Sequence, residues 1–525
     1  MPRESFVKGA FVLTAAAFLT KLLGAVYRIP LYPILGDQGF GLFQMAYPIY
    51  GMALVLSTSG INVAISKLVA ERLASGDRKG AAEAFKSSLV LLAASGLVFG
   101  GLLFAASGWI AARVTHDSRA TLSIAAISPA VLLVSVMSAY RGLFQGLQQM
   151  VPTAVSQVVE QLVRVITMLL LAVLLMPRGV EFAAAGATFG AVTGAVAGLI
   201  YLLAVFRQSH VTKFVGSSAA GVSVPTMGTV LRIAIPVSLA SGVLGLTQIV
   251  DMALVPWRLQ AAGLSVPVAT AQYGEMSGAA LPLVNLPTIL TAALQVSLVP
   301  AIAADSAVGD AQRVTARMRT ALRLTFQVML PAATGLWVLA EQIAILLFRD
   351  PDVAVPLASL ASSAVFMGLQ QTTSGILQGL GLLQLPVRHL LWGTSAKFVI
   401  TLWLTSAVGI RGACYGTVVG FAVAALLNLT ALARRFGRLL SLRDMLVAPS
   451  VACLVMAAAL RPMYAAARAL THSGNVSTLL AIVGGMLVYS AGVGLLGGLK
   501  REDVQVIPVV GQRLALVLQR LGLLR

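Results

Sequence analysis

The chain carries an internal repeat, and this repeat limits the folds available to it more than any other feature does. Residues 142–147 match residues 375–380 when the numbering advances by 233, and residues 186–194 match residues 412–420 when it advances by 226. Collinear matches with one small change of offset indicate two homologous halves. Because both halves are apolar, we predict two membrane-embedded lobes with a path between them, an arrangement typical of transporters.

The composition is that of a membrane protein. Hydrophobic residues make up 58% of the 525 residues and charged residues only 10%, whereas soluble domains average roughly 45–50% and about 25%. We predict an all-α polytopic membrane protein of about 14 transmembrane helices, in which a parallel repeat relates two six-helix lobes and two C-terminal helices follow. The predicted segments are an N-lobe at 1–206, a cytoplasmic linker at 207–227, a C-lobe at 228–433, the last two helices at 434–500 and a basic amphipathic tail at 501–525.

The basic residues orient the predicted protein in its membrane. The formal net charge is +19, and most Lys and Arg residues fall in alternate loops, which the positive-inside rule places in the cytoplasm. Both termini are therefore predicted to be cytoplasmic. This distribution indicates that the basic residues interact with membrane lipid, and it argues against nucleic-acid binding.

Four cations lie inside predicted spans, where a charge costs from about 2.5 to more than 10 kcal/mol unless it faces protein or water. They are Lys21, Arg28, Arg164 and Lys397. Lys21 and Arg28 are two helical turns apart and share a face. One interpretation is that they bind an anionic head group in a central cavity. The other is that they extend to the membrane surfaces or pair with carboxylates.

Arg164 and Lys397 occupy matching positions in the two halves but have different neighbours. Glu160 precedes Arg164 by one turn, which predicts a local ion pair. Lys397 has Gly393 at that place. The glycines of residues 186–198 and 412–420 recur every four residues and predict faces on which helices pack closely.

Asp251 and Glu275 are acids in the predicted seventh and eighth spans. Two interpretations stay open: they bind a coupling cation or proton, or they neutralise the cations named above, as Glu160 does for Arg164. No nucleophile elbow, phosphate-binding loop or zinc spacing occurs in the loops. We therefore predict no enzyme activity and no bound cofactor or metal, with energy supplied by Na⁺ or H⁺ coupling, the membrane potential or the substrate gradient.

Several motifs resemble a known family. They are residues 20–31 (Thr-Lys-Leu-Leu-Gly-Ala-Val-Tyr-Arg-Ile-Pro-Leu), residues 39–48 (Gly-Phe-Gly-Leu-Phe-Gln-Met-Ala-Tyr-Pro), residues 140–146 (Tyr-Arg-Gly-Leu-Phe-Gln-Gly) and residues 281–287 (Leu-Pro-Leu-Val-Asn-Leu-Pro). They are similar to the SpoVB-like branch of the multidrug/oligosaccharidyl-lipid/polysaccharide (MOP) exporter superfamily, and the similarity covers nearly the whole chain.

The resemblance implies a bacterial cytoplasmic-membrane protein with a V-shaped pair of lobes that works by alternating access. Its substrates would be undecaprenyl-linked sugars, including the peptidoglycan precursor lipid II. Lys21 and Arg28 match the cavity cations that lipid II flippases carry on the first span. This chain departs from the family at residues 274–276 (Gly-Glu-Met), where those flippases have an arginine. Some members bind sodium with acids on the seventh and eleventh spans. Asp251 matches the acid of the seventh span, whereas the eleventh span of this chain carries Lys397 and no carboxylate.

The sequence therefore predicts a flippase for an undecaprenyl-pyrophosphate-linked cell-wall precursor, with polyprenyl glycan, membrane lipids and cell-wall synthesis proteins as partners. One alternative is a cation-coupled multidrug exporter of the same superfamily. Four buried cations against three acids (Glu160, Asp251 and Glu275) favour an anionic substrate over a cationic drug. The other alternative is a membrane scaffold for cell-wall synthesis that transports nothing, and the short cytoplasmic loops argue against it.

Overall fold

The computed structural model describes residues 6–58, 60–209, 221–437 and 443–496. Throughout these ranges the chain forms helices and turns without a β-strand, so the predicted all-α membrane fold is confirmed. Nine helices among the described residues are long and apolar enough to cross a membrane, or ten if one bent pair counts as a span. The number fourteen stays a prediction.

The chain packs into two compact units, Met1–Gly278 and Ala279–Arg525. The predicted lobe boundaries follow the sequence repeat instead and remain predictions. The predicted tail 501–525 and residues 210–220 of the predicted linker lie outside the described residues. The helices of the first unit are α1 (Phe6–Val26), α2 (Arg28–Thr58), α3 (Ile61–Ala74), α4 (Arg78–Ala105), α5 (Ser107–Arg113), α6 (Thr121–Ile127), α7 (Pro129–Gly146), α8 (Met150–Leu175), α9 (Val180–Gln208), α10 (Val224–Ala261) and α11 (Val266–Gly274).

The second unit continues from a π-helical segment at Glu275–Ala280. Its helices are α12 (Leu281–Asn285), α13 (Thr288–Ala307), α14 (Ala311–Val338), α15 (Ala340–Phe348), α16 (Ala354–Leu360), α17 (Ser363–Gly379), α18 (Gln384–Val408), α19 (Ile410–Phe436), α20 (Ala448–Thr471) and α21 (Gly474–Leu495). The chain bends by 78° between α14 and α15. The last two helices pack on each other, and Tyr489 of α21 donates a 2.9 Å hydrogen bond to the Gln327 carbonyl of α14.

Matching residues of the sequence repeat make matching contacts inside each unit. A Cβ added to Gly146 of α7 would lie 2.9 Å from the Cβ of Val69 in α3. A Cβ added to Gly379 of α17 would lie 2.9 Å from the Cβ of Ile302 in α13. Real Cβ atoms do not approach other atoms so closely. The pairs α3–α7 and α13–α17 can therefore pack at this distance only because glycine has no side chain. The repeat is therefore one of structure as well as of sequence.

The first apolar stretch of the chain is divided between two helices. Helix α1 ends at Val26 and α2 begins at Arg28. Pro30 has no backbone N–H and cannot continue the hydrogen bonding of α1 to Val26, so the chain breaks before it. A second break follows at Gly36, whose φ of 68° and ψ of 178° lie outside the helical region. These breaks place Arg28 in the first turn of a new helix.

Candidate functional site

Arg28 is held inside the first unit by backbone acceptors. Its Nη1 donates a 2.6 Å hydrogen bond to the carbonyl oxygen of Gly278, and its Nε lies 3.4 Å from the carbonyl oxygen of Gly24. The guanidinium also lies 5.7 Å from the centre of the Tyr27 ring, within range of a cation–π interaction. Because a guanidinium has five N–H donors, these neutral contacts leave donors for another acceptor.

Arg164 and Arg141 share one carboxylate. Arg164 Nη2 lies 2.5 Å from Glu160 Oε1, so the expected pair one helical turn apart is present. Arg141 Nη2, from α7, lies 2.9 Å from Glu160 Oε2, and Arg141 Nε donates to the Ser156 hydroxyl at 2.9 Å. Two positive charges against one negative charge leave this group with a net charge of +1.

Two neighbouring tyrosines of α2 lie within electrostatic range of these cations. The guanidinium of Arg164 interacts electrostatically with the hydroxyls of Tyr47 and Tyr50, and that of Arg28 also acts on Tyr47. Neither hydroxyl has a hydrogen-bond partner in the described part of the chain, and neither does the buried Nε of Arg164. Tyr50 is only 5% exposed.

We group these side chains, of which Tyr50 is buried and the other five are partly buried, under the name arginine–tyrosine cluster. Its members are Arg28, Tyr47, Tyr50, Arg141, Glu160 and Arg164. A buried polar atom without a partner costs about 1–3 kcal/mol. The cluster holds three such atoms, the Tyr47 and Tyr50 hydroxyls and the Arg164 Nε, and no described residue satisfies them. Such a group can bind an anion with several oxygens through charge-assisted hydrogen bonds.

More unsatisfied polar atoms occur in helices α2, α3 and α8 of the first unit. Gln44 Oε1 of α2, Asn62 Oδ1 of α3 and Gln157 Oε1 of α8 are buried and have no partner within the described residues. All three are acceptors, and sugar hydroxyls are suitable donors to them. The first unit therefore offers donors for an anion and acceptors for a hydroxyl-rich group.

The other predicted cations are placed differently. Lys21 lies in α1, but its side chain is outside what the structure describes. Lys397 lies in α18 of the second unit and is 3% exposed. A Cβ added to Gly420 would lie 2.9 Å from the Lys397 Cβ, just as one added to Gly194 would lie 2.8 Å from the Arg164 Cβ. The glycines of residues 186–198 and 412–420 form close-packing faces, as predicted. In the first half they pack against Arg164, and in the second half they pack against Lys397.

The predicted acids are both buried in the first unit. Asp251 of α10 is 3% exposed and Glu275 is 6% exposed. Asp251 interacts electrostatically with Tyr273 at the end of α11. Glu275 begins the π-helical segment whose Gly278 carbonyl accepts from Arg28. Arg28 and this segment are therefore in contact. Both interpretations of the acids, binding of a coupling ion and neutralisation of the buried cations, stay open.

Sequence reasoning missed three members of the cluster. Arg141 lies inside a predicted span, 120–147, and that position was a signal to count it among the buried cations. Tyr47 and Tyr50 gave no such signal, because the face of α2 that meets Arg164 depends on the breaks at Tyr27 and Gly36.

Comparison with known proteins gives consistent matches. A profile of the family described as "Polysaccharide biosynthesis protein" matches residues 6–304. Stage V sporulation protein B of Bacillus subtilis (strain 168) is 29% identical over 522 residues, which cover 98% of this chain and 99% of that protein. Lipid II flippase MurJ of the same organism is 29% identical over 151 residues, 27% of this chain and 28% of that protein.

Solved structures show the same fold at low identity. An inward closed conformation of lipid II flippase MurJ matches with a TM-score of 0.69 at 14% identity, covering 92% of this chain and 98% of that one. An inward-facing multidrug resistance MATE transporter of the MOP superfamily matches with a TM-score of 0.66 at 16% identity, covering 80% and 95%. The chain is therefore a multi-pass membrane protein with the fold of MOP-superfamily transporters.

Proposed function

Because the chain belongs to the polysaccharide biosynthesis protein family, we propose that it moves an undecaprenyl-pyrophosphate-linked cell-wall precursor, lipid II or a related polysaccharide lipid, across the cytoplasmic membrane. Movement is from the cytoplasmic to the outer face by alternating access. The relatives support the class of substrate, since one is named a lipid II flippase and the family is named for polysaccharide biosynthesis.

The arginine–tyrosine cluster is the observation that carries this proposal. Its three arginines against one glutamate give a net charge of +2, and a pyrophosphate is an anion with several oxygens. Arg28 exchanges the Gly278 carbonyl for a phosphate oxygen, while Tyr47, Tyr50 and the Arg164 Nε donate to the remaining oxygens. The sugars contact the side-chain acceptors of Gln44, Asn62 and Gln157. The polyprenyl tail stays in lipid.

The remaining predicted residues have supporting roles in this proposal. Lys21 and Lys397 assist in attracting the anion, and Asp251 and Glu275 balance charge or bind the coupling Na⁺ or H⁺. The membrane potential is the alternative source of energy. Both termini lie in the cytoplasm of a bacterial cell, and the protein acts next to cell-wall synthesis proteins. No catalytic step is part of this function.

The proposal is tested in cells depleted of their own lipid II flippase, by measuring lipid II at the outer face. The parent protein is compared with Arg28→Ala and with Arg178→Ala, a control at an exposed arginine between α8 and α9, at equal membrane abundance. We expect the parent and the control to restore lipid II exposure and Arg28→Ala to reduce it at least tenfold.

Two results would contradict the proposal. Failure of a well-inserted parent to expose lipid II removes lipid II as substrate, and the assay is then repeated with other polyprenyl-linked glycans. Full activity of Arg28→Ala removes Arg28 from the binding role.

The buried acids Asp251 and Glu275 support a second candidate, a cation-coupled multidrug exporter, because acids in a cavity suit cationic drugs. Drug accumulation in cells separates the two functions. Export of cationic drugs that is lost in Asp251→Asn and kept in Arg28→Ala would favour the exporter.

A further inference from the structure

A cavity with polar and apolar lining lies wholly within the second unit, outside the arginine–tyrosine cluster. Its volume is about 960 Å³, and it is lined by residues of α14, α15, α16, α17, α19 and α20. Pockets of roughly 300–1,000 Å³ hold ligands of small-molecule size. The proposed translocation assigns no role to this cavity.

Two exposed arginines of its lining have no partner among the described residues. Arg411 of α19 and Arg461 of α20 both line the cavity and form no hydrogen bond or ion pair with the described residues. Arg411 is the second residue of a 27-residue helix, where the unpaired N–H groups of the first turn add positive potential. The Oε1 atom of Gln342, in the same wall, is buried and also lacks a hydrogen-bond partner within the described ranges.

One acid opposes these charges. Glu341 of α15 lines the cavity and is exposed. Two arginines against one glutamate leave a net charge of +1, so the cavity attracts anions. The acid also provides a direct electrostatic test, because its removal raises the net charge without touching the arginines.

The cavity lies at the ends of α14 and α19 that are far from their clustered basic residues, where we expect lipid head groups. The basic residues 313–323 on α14, and Arg434 and Arg435 on α19, lie at the helix ends opposite the cavity. Trp337, Tyr415 and Tyr464 line the cavity, and aromatic rings of this kind are enriched at the level of the head groups. Trp337 is 63% exposed, as expected for a side chain that meets lipid.

Part of the remaining wall is apolar. Leu330, Ala333, Val338, Val355 and Val365 contribute aliphatic side chains beside the charged ones. A ligand that satisfies the whole cavity carries an anionic group and hydrocarbon in one molecule.

We propose that this cavity binds an anionic phospholipid, with Arg411 and Arg461 contacting the phosphate and the aliphatic wall contacting the acyl chains. The bound lipid fills the space between the bent α14–α15 pair and the ends of α19 and α20. This assignment stands independently of the substrate that the protein moves.

The test measures phosphatidylglycerol binding to the purified, detergent-solubilised protein by native mass spectrometry, with uncharged diacylglycerol as the comparison lipid. Each basic residue near an anionic lipid contributes roughly fivefold to binding. We expect Arg411→Gln/Arg461→Gln to bind phosphatidylglycerol about thirtyfold more weakly than the parent. Glu341→Gln should bind it several-fold more tightly, and the exposed control Arg178→Gln should bind it as the parent does.

The gain expected for Glu341→Gln keeps the proposal testable if the double variant folds poorly. Unchanged binding by the folded double variant, or no gain from Glu341→Gln, overturns the proposal, and so does equal binding of diacylglycerol. Undecaprenyl phosphate is added as a competitor. Tighter binding of that lipid through the same two arginines would overturn the phospholipid assignment and identify the polyprenyl carrier as the ligand.

Discussion

Arg28 and Gly278 are 250 residues apart and are joined by a 2.6 Å hydrogen bond from the guanidinium to the backbone carbonyl. A neutral carbonyl is a weaker partner for a guanidinium than a phosphate is, because charge-assisted hydrogen bonds are about twice as strong as neutral ones. The contact therefore positions Arg28 without saturating it. An anion can replace the carbonyl at a gain in binding free energy.

The hydroxyl of Tyr50 gives a prediction that separates stability from transport. Since this buried hydroxyl has no partner among the described residues, Tyr50→Phe should leave thermal stability unchanged or raise it by up to about 1 kcal/mol. We expect the same variant to lower the outward movement of lipid II several-fold, because the hydroxyl is proposed to donate to the pyrophosphate. Melting in detergent and the lipid II exposure assay measure the two effects.

Tyr489→Phe is the matched control for Tyr50→Phe. The Tyr489 hydroxyl donates to the Gln327 carbonyl at 2.9 Å, so its loss should cost about 1 kcal/mol of stability and leave transport unchanged. A destabilised Tyr50→Phe with normal transport would show that the Tyr50 hydroxyl is bonded within the protein and does not contact substrate.

Glu160 holds two arginines, so its loss should be costly. Glu160→Gln leaves Arg141 and Arg164 without a counter-charge, and removing one partner of a buried pair typically costs about 3–5 kcal/mol. We expect a clear drop in the unfolding temperature, partly reversed in Glu160→Gln/Arg141→Gln, which removes one of the stranded charges.

The control for Glu160 is Glu71→Gln. Glu71 pairs with Lys67 at 3.7 Å, and both side chains are more than half exposed. Surface pairs contribute about 0–1 kcal/mol, so this variant should melt close to the parent. Equal effects of the two substitutions would contradict the buried role of Glu160.

The glycines above the two cations should tolerate no side chain. A Cβ at Gly194 would lie 2.8 Å from the Arg164 Cβ, and one at Gly420 would lie 2.9 Å from the Lys397 Cβ. Gly194→Ala and Gly420→Ala should each destabilise by about 1–3 kcal/mol through overpacking. In Gly101→Ala, on α4, the new Cβ meets nothing within 4 Å, so helix propensity should make it neutral or stabilising. Melting curves of the three variants decide whether packing or propensity controls these positions.

Two helix N-caps at matching positions of the repeat should contribute equally to stability. The Asp77 carboxylate accepts from the Gly80 N–H at 2.7 Å at the start of α4, and the matching Asp310 accepts from the Arg313 N–H at 2.9 Å at the start of α14. Asp77→Ala and Asp310→Ala should each cost about 1 kcal/mol. Melting in detergent measures both, and a loss in one without the other would mean that the two halves do not share this cap.

Local spacing made part of this site predictable from the sequence. Glu160 and Arg164 are four residues apart in a helix, so their pairing follows from helical geometry, and the repeat identified Lys397 as the counterpart of Arg164. The contact between Arg28 and Gly278 did not follow, because it joins distant helices and depends on the break at Tyr27. Arg141 reaches Glu160 from a different helix, and only the packing of α7 on α8 brings them together.

The place of Glu160 is taken in the second repeat by Gly393, and a Cβ there would lie 2.3 Å from the Gly420 carbonyl oxygen. The missing carboxylate therefore accompanies a backbone approach that excludes any side chain. After the ancestral duplication, a single codon change at this position could not have restored the acid without forcing α18 and α19 apart. The close approach of α18 and α19 at Gly393 thus keeps a carboxylate out of the second half, and the two halves retain different charges at this position.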